Sequence, residues 1–273
     1  MNDFKSKNVI VTGGSRGIGL AIAKKLASEG ANIAILAKTD RPHPKLPGTI
    51  HTAIREVQEF GTKALAIKTD IRFDEQVKNA INKVVEEFGS IDILINNASA
   101  ISLFNSETLP MKQFDLMHDI NIRGTYLCSK LCVPHLKKSS NPHILNLSPP
   151  INLKAKWFEN FTAYTIAKYG MSMCVIGMSE EFKKYNIAVN ALWPQTTIDT
   201  AAIQNLGGVV RSDQCRNVKI MSDSAYYLLK RNSKNNTGEF YIDEKVLEQE
   251  GIKDLEKYSI KPGSKLYTDL YLD

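Results

Sequence analysis

The sequence has no hydrophobic run long enough to cross a membrane, and its start, MNDFKSKNVIVTGG, lacks the apolar core of a secretory signal. An intracellular, soluble protein is expected, in the cytoplasm, or in a peroxisome or mitochondrion if the source is eukaryotic. Only four cysteines are present (Cys128, Cys132, Cys174, Cys215), without framework spacing, so reduced thiols are expected. The three sequons, at Asn146, Asn160 and Asn235, carry no weight without a secretory route. Five histidines show no metal-ligand spacing, and no metal site is expected. The formal net charge of +6 is scattered, with no basic stripe interleaved with aromatics, which argues against a nucleic-acid partner. Internal repeats and low-complexity linkers are also missing.

What is present is alternation. Short apolar runs at Asn8–Thr12, Asn32–Ala37, Lys63–Lys68, Ile91–Ile95, His143–Leu147 and Ile187–Leu192 read as strands. Helical spacing is found at Ile18–Glu29, Thr52–Phe60, Glu75–Phe88, Met111–Lys138 and Phe161–Tyr185. Runs without strict polar alternation belong to strands covered on both faces. The pattern predicts an α/β protein: a Rossmann-type doubly wound parallel sheet with helices on both faces. The 273 residues suit one dinucleotide-binding oxidoreductase domain, 1–273, with a more polar stretch from about 244 read as a surface tail.

The first strand runs into Gly13-Gly14-Ser15-Arg16-Gly17-Ile18-Gly19 and then a helix. Glycines let backbone approach a pyrophosphate, and free N–H groups at a helix start attract the anion. The spacing Gly-x-x-x-Gly-x-Gly departs from the commoner dinucleotide fingerprint, but its strand–turn–helix context is the one such binding needs. An acid at the end of the second strand would bind the ribose hydroxyls of NAD, whereas a base accommodates the 2′-phosphate of NADP. Here Lys38 stands there with Arg16 nearby, so NADP(H) is the expected cofactor.

Tyr-x-x-x-Lys occurs four times, beginning at Tyr126, Tyr164, Tyr226 and Tyr241. Spacing of four puts both side chains on one helix face, and most such pairs are amphipathic surface. Only Tyr164 follows the fifth strand and opens the long helix before VNALWP. A free phenol has a pKa of roughly 10, and a nearby ammonium would lower it toward useful proton exchange. Tyr164 and Lys168 are therefore the candidate proton-transfer pair.

Together with TGGSRGIG, Asp70, Asn96-Asn97-Ala98 and Asn121, that pair resembles the short-chain dehydrogenase/reductase family along nearly the whole chain. The stretches NNASAISL, LNLSPP, AYTIAKYGMSM and VNALWP resemble more narrowly its hydroxysteroid dehydrogenase-like members. The resemblance implies that Asp70 and Ile71 line an adenine pocket and that Asn96 sits against the adenosine ribose. It also implies that Lys168 holds the nicotinamide ribose and that Asn121 supports a water-linked proton path. Homo-oligomerisation is implied as well. Those relatives often carry a C-terminal sterol-carrier domain, which is not expected within 1–273.

Three departures concern the substrate side. The fifth strand leaves through Ser148-Pro149, where many members have a substrate-orienting serine at the second position; proline has neither hydroxyl nor backbone donor. Ser148 either fills that catalytic role or is a strand-end hydroxyl. Ser99 replaces a glycine, and Pro194-Gln195 replaces Pro-Gly. Residues 196–217 are expected to cover the substrate, and the apolar segment AAIQNLGGVV within them suggests a hydrophobic, lipid- or steroid-like ligand. The expected activity is NADP(H)-dependent interconversion of a small-molecule carbonyl and alcohol. The alternative is an NADP(H)-binding sensor or scaffold with little turnover.

Overall fold

A computed structural model describes residues 3–44, 46–204 and 210–273. Strand β1 (Asn8–Thr12) is buried along its whole length. Successive side chains of a strand point to opposite faces, and β1 divides accordingly. Val9 and Val11 pack with α1 (Gly17–Ser28), whereas Ile10 packs into the core on the other face. The same division holds in β2 (Asn32–Ala37), where Ile33 and Ile35 lie on the first face and Ala34 and Leu36 on the second.

The chain continues through α2 (Ile50–Gln58), β3 (Ala64–Lys68), α3 (Asp74–Phe88), β4 (Ile93–Asn96) and α4 (Met111–Met117). After it come α5 (Thr125–Leu136), β5 (His143–Asn146), α6 (Thr162–Lys183), β6 (Ala188–Trp193), α7 (Ala201–Gln204), α8 (Lys219–Lys230), β7 (Phe240–Ile242) and α9 (Asp243–Gln249). The seven strands form one sheet in the order β3-β2-β1-β4-β5-β6-β7, every pair parallel. This is the expected doubly wound α/β sheet. Strand order reverses between β1 and β4, and ligands of such sheets bind in the crevice outside the strand ends at that point.

The structure departs from expectation in three places. The helical stretch expected over 111–138 is interrupted by one π-helical segment, His118–Gly124. Packing explains its seat: a Cβ on Gly170 of α6 would overlap Ile122, so only glycine lets this segment lie so close to α6. Second, α8, β7 and α9 extend the fold beyond the last expected strand. β7 has three residues, too few for periodicity to reveal.

The third departure is the C-terminal stretch, expected as a surface tail. Val246 and Leu247 of α9 are buried, and Tyr271 is only 1% exposed, packed among Trp157, Tyr169 and Trp193. The backbone of 267–270 is tied across the sheet end. The Thr197 N–H donates to Tyr267 O, the Asp269 N–H to Gln195 O, and Trp193 Nε1 to Leu270 O. Residues 264–273 form a strap across the end of β6.

Candidate active site

The glycine turn after β1 has its geometry fixed by neighbours. Gly13 has φ +66°, and a Cβ there would lie 2.7 Å from Ala98 Cα. Asn97, just after β4, donates through Nδ2 to the carbonyls of Thr12 and Gly13, both at 3.0 Å. Gly19 leaves the room that this side chain fills. Gly13, Ser15, Arg16, Gly17 and Ile18 line a cavity of about 710 Å³; Gly14 and Gly19 stand behind it and serve the turn.

Lys38, Asp70 and Ile71 line the same cavity. Lys38 is exposed and makes no ion pair among the described residues. Asp40, the first acid after it, is committed to Lys68 at 2.8 Å. Asp70 is gripped by the Arg72 guanidinium, which holds its carboxyl below the usual range. The Arg16 guanidinium donates to Pro47 O at 2.7 Å and Gly48 O at 2.9 Å, which draws this stretch over the glycine turn.

Asn96 turns its side chain away from the cavity. Its side chain is 1% exposed, donates to Ser129 Oγ of α5 and to Asn146 Oδ1 of β5, and does not line the cavity. Strand alternation turns Asn96 inward and leaves Asn97 and Ala98 at the cavity wall.

Tyr164 and Lys168 lie one turn apart on α6, both buried, and both line the same cavity. The Lys168 ammonium donates to Leu147 O at 2.6 Å. The Tyr164 hydroxyl has no hydrogen-bond partner among the described residues. The expected depression of the phenol pKa is not found. Burial, and then the charge of Asp269, push it up, while burial pushes Lys168 down to about 7. The other Tyr-x-x-x-Lys pairs lie off the cavity: Tyr126 is exposed, and the Tyr226 hydroxyl donates to Asp3 while accepting from Lys230.

Asn121, in the π-helical segment, is fully buried. Its Oδ1 accepts the Ala100 N–H at 2.8 Å and its Nδ2 donates to Ala100 O at 3.0 Å. The side chain is thereby spent on holding the chain after β4, which leaves its backbone for any water-linked path.

Ser148 lies apart from the cavity. It is 0% exposed, its Oγ has no partner among the described residues, and neither it nor Pro149 lines the cavity. The structure therefore favours the strand-end reading of this hydroxyl.

The expected substrate cover is described in part, and 205–209 lie outside the described residues. Ile198, Ala202, Ile203 and Val210 line the cavity, an apolar wall as expected. Asp269 and Leu270 of the strap also line it. No sequence signal marked Asp269, because its placement depends on the strap's return across more than 70 residues from β6. Among the described residues no group of His, Cys, Asp or Glu could hold a metal ion, and no helix is long and apolar enough to cross a membrane.

Residues 7–207 match the family model for short chain dehydrogenase. The chain belongs to the short-chain dehydrogenase family. It is 58% identical over 265 residues to hydroxysteroid dehydrogenase-like protein 2 of Danio rerio, covering 97% of this chain and 63% of that one. The Homo sapiens protein of that name is 56% identical with the same coverage. The chain thus spans less than two thirds of these relatives. A short chain dehydrogenase from Mycobacterium thermoresistibile superposes with a TM-score of 0.93 at 50% identity, covering 98% of this chain and 96% of that one. In this chain the glycine turn and the buried Tyr164–Lys168 pair line one continuous cavity.

Proposed function

We propose that this protein is an NADP(H)-dependent oxidoreductase that interconverts a carbonyl and an alcohol on a hydrophobic small molecule. One observation carries the reading: a single cavity joins the glycine turn and Lys38 to the uncommitted hydroxyl of Tyr164. The residues fit an anionic dinucleotide, since glycine turn, helix start and two bases gather at one end. A nicotinamide bound there supplies or accepts the hydride.

The chain's own part is position and proton. In the reductive direction Tyr164 delivers its proton to the substrate oxygen, and a phenol whose pKa is raised is held in the protonated form that this step needs. Lys168 supports the phenol electrostatically and holds the nicotinamide ribose, while Asn121 fixes the chain after β4 through the Ala100 backbone. Gly13–Ile18 and Lys38 take the pyrophosphate and the 2′-phosphate, with Arg16 holding 47–48 in place; Asp70 and Ile71 flank the adenine.

The name of the curated relatives supports a lipid- or steroid-like substrate, as does the apolar wall from Ile198 to Ile203. The cofactor-sensing alternative draws on the burial of Ser148 away from the cavity. α6 leaves Ile166, Met173 and Ile176 exposed on one stripe, which suits a homo-oligomer. The direct test is a panel of carbonyl compounds monitored by NADPH absorbance. Turnover that disappears in Tyr164→Phe supports the enzyme; tight NADPH binding with no turnover favours the sensor.

A further inference from the structure

Three carboxylates line the cavity: Asp70, Asp199 and Asp269. Asp70 is taken by Arg72. Asp199 accepts from Gln204 Nε2 at 3.1 Å and from Ser212 Oγ at 2.7 Å. Asp269 differs: its Oδ1 accepts the Leu270 N–H at 2.7 Å, and its Oδ2 has no hydrogen-bond partner among the described residues. The residue is half-buried and lines the cavity, so a ligand held there meets this carboxyl.

Its surroundings make that oxygen consequential. Asp269 is within electrostatic reach of both Tyr164 and Lys168, yet Lys168 forms no ion pair with it and gives its hydrogen bond to Leu147 O. The neighbouring wall is apolar, with Trp193, Ile198 and Leu270. The strap is anchored on both sides of the carboxyl, the Asp269 N–H donating to Gln195 O and Trp193 Nε1 donating to Leu270 O. A fixed carboxyl oxygen without a partner among the described residues, in an apolar stretch of the cavity that also holds the proton donor, is open to water or to a ligand.

We propose that Asp269 is a specificity-determining residue that hydrogen-bonds a hydroxyl borne next to the reacting carbonyl, so that the substrate is a hydroxy-ketone on an apolar body and not a keto acid. A hydroxyl can donate to the carboxylate or accept from the carboxylic acid, so it satisfies Asp269 in either form. Burial pushes that carboxyl up to about 7, which makes both forms relevant near neutrality. A carboxylate in the same place meets charge repulsion and desolvation instead. The inference rests on the carbonyl-reductase reading above.

The test compares 1-hydroxy-2-decanone, 2-decanone and 2-oxodecanoate with NADPH in the wild type, Asp269→Asn and Asp269→Leu. The wild type should favour the hydroxy-ketone over the plain ketone by about tenfold to a hundredfold in kcat/KM, with the keto acid poorest. Asp269→Leu should bring the first ratio close to one. Asp269→Asn should keep the hydroxyl preference and gain on 2-oxodecanoate, which carries the test if Asp269→Leu fails to fold. Unchanged NADPH affinity checks the fold of each variant. Calorimetric binding of 1,2-decanediol against 1-decanol to the NADPH-loaded protein gives the same comparison without turnover. If no ketone is reduced, the reductase reading fails while the binding ratio still judges Asp269. A ratio near one in the wild type, or one that survives Asp269→Leu, overturns the proposal.

Discussion

Lys168 donates its ammonium to the backbone carbonyl of Leu147 at 2.6 Å, just past the last residue of β5. The bond ties the first turns of α6 to the sheet at the level where Tyr164 meets the cavity. Lys168 is therefore both a charge in the site and a pin between helix and strand.

The two members of the pair should fail differently. Tyr164→Phe removes one uncommitted hydroxyl and keeps the ring, so turnover should fall at least about a hundredfold with NADPH affinity unchanged. Lys168→Ala should lose turnover and NADPH affinity together. It also leaves the Leu147 carbonyl buried without its donor, at a cost of about 1–3 kcal/mol in denaturant unfolding. Fluorescence titration beside steady-state kinetics separates the two patterns.

Cofactor choice should turn on Lys38. Because it is exposed and unpaired, its charge is available to a 2′-phosphate. The wild type should bind NADPH more tightly than NADH, and Lys38→Asp should reverse the order. Equal affinities in the wild type would remove the argument.

Ser148→Ala should barely change the rate, by no more than about threefold, where loss of a preorganised donor costs about 10²–10³. Its Oγ is buried without a partner, so the alanine variant should be as stable as the wild type or more so by up to about 1 kcal/mol. A rate loss of the larger size would return Ser148 to the substrate oxygen.

Acid stability should depend on His143. Burial holds its pKa down at about 4, below the ordinary 6.5, while its Nε2 meets Arg231 O at 3.1 Å. Between those values the unfolded chain takes up a proton that the folded chain refuses, so stability falls as pH drops from 6.5 toward 4. Urea unfolding at pH 7 and pH 4.5 should show about 2–3 kcal/mol of this loss in the wild type, largely absent from His143→Gln.

Much of this site was legible because its chemistry sits on repeated local patterns. TGGSRGIG between a strand and a helix fixes the turn from short-range sequence, and Tyr164 stood out from three similar pairs by following β5. Asn96 and Asn97, at and just after the end of β4, are alike in the sequence, and only the pleat decides which side chain faces the cavity. Ser148 stays open between two roles in the sequence for a similar reason: the chain's direction after Leu147 is set by tertiary packing, which LNLSPP does not encode locally. Asp269 could not be read at all, since a single aspartate in a polar stretch is indistinguishable from solvent-facing charge until the strap is placed.

That strap has an evolutionary corollary. It supplies a wall and a carboxyl to the site, yet it belongs to none of the seven strands and is held through backbone bonds, the ring of Tyr271 and the pairing of Asp273 with Lys154 and Lys156. Substitutions there can redraw what the protein accepts without disturbing the hydride and proton machinery. Divergence in substrate among close relatives should therefore concentrate in 264–273 sooner than in α6 or the glycine turn.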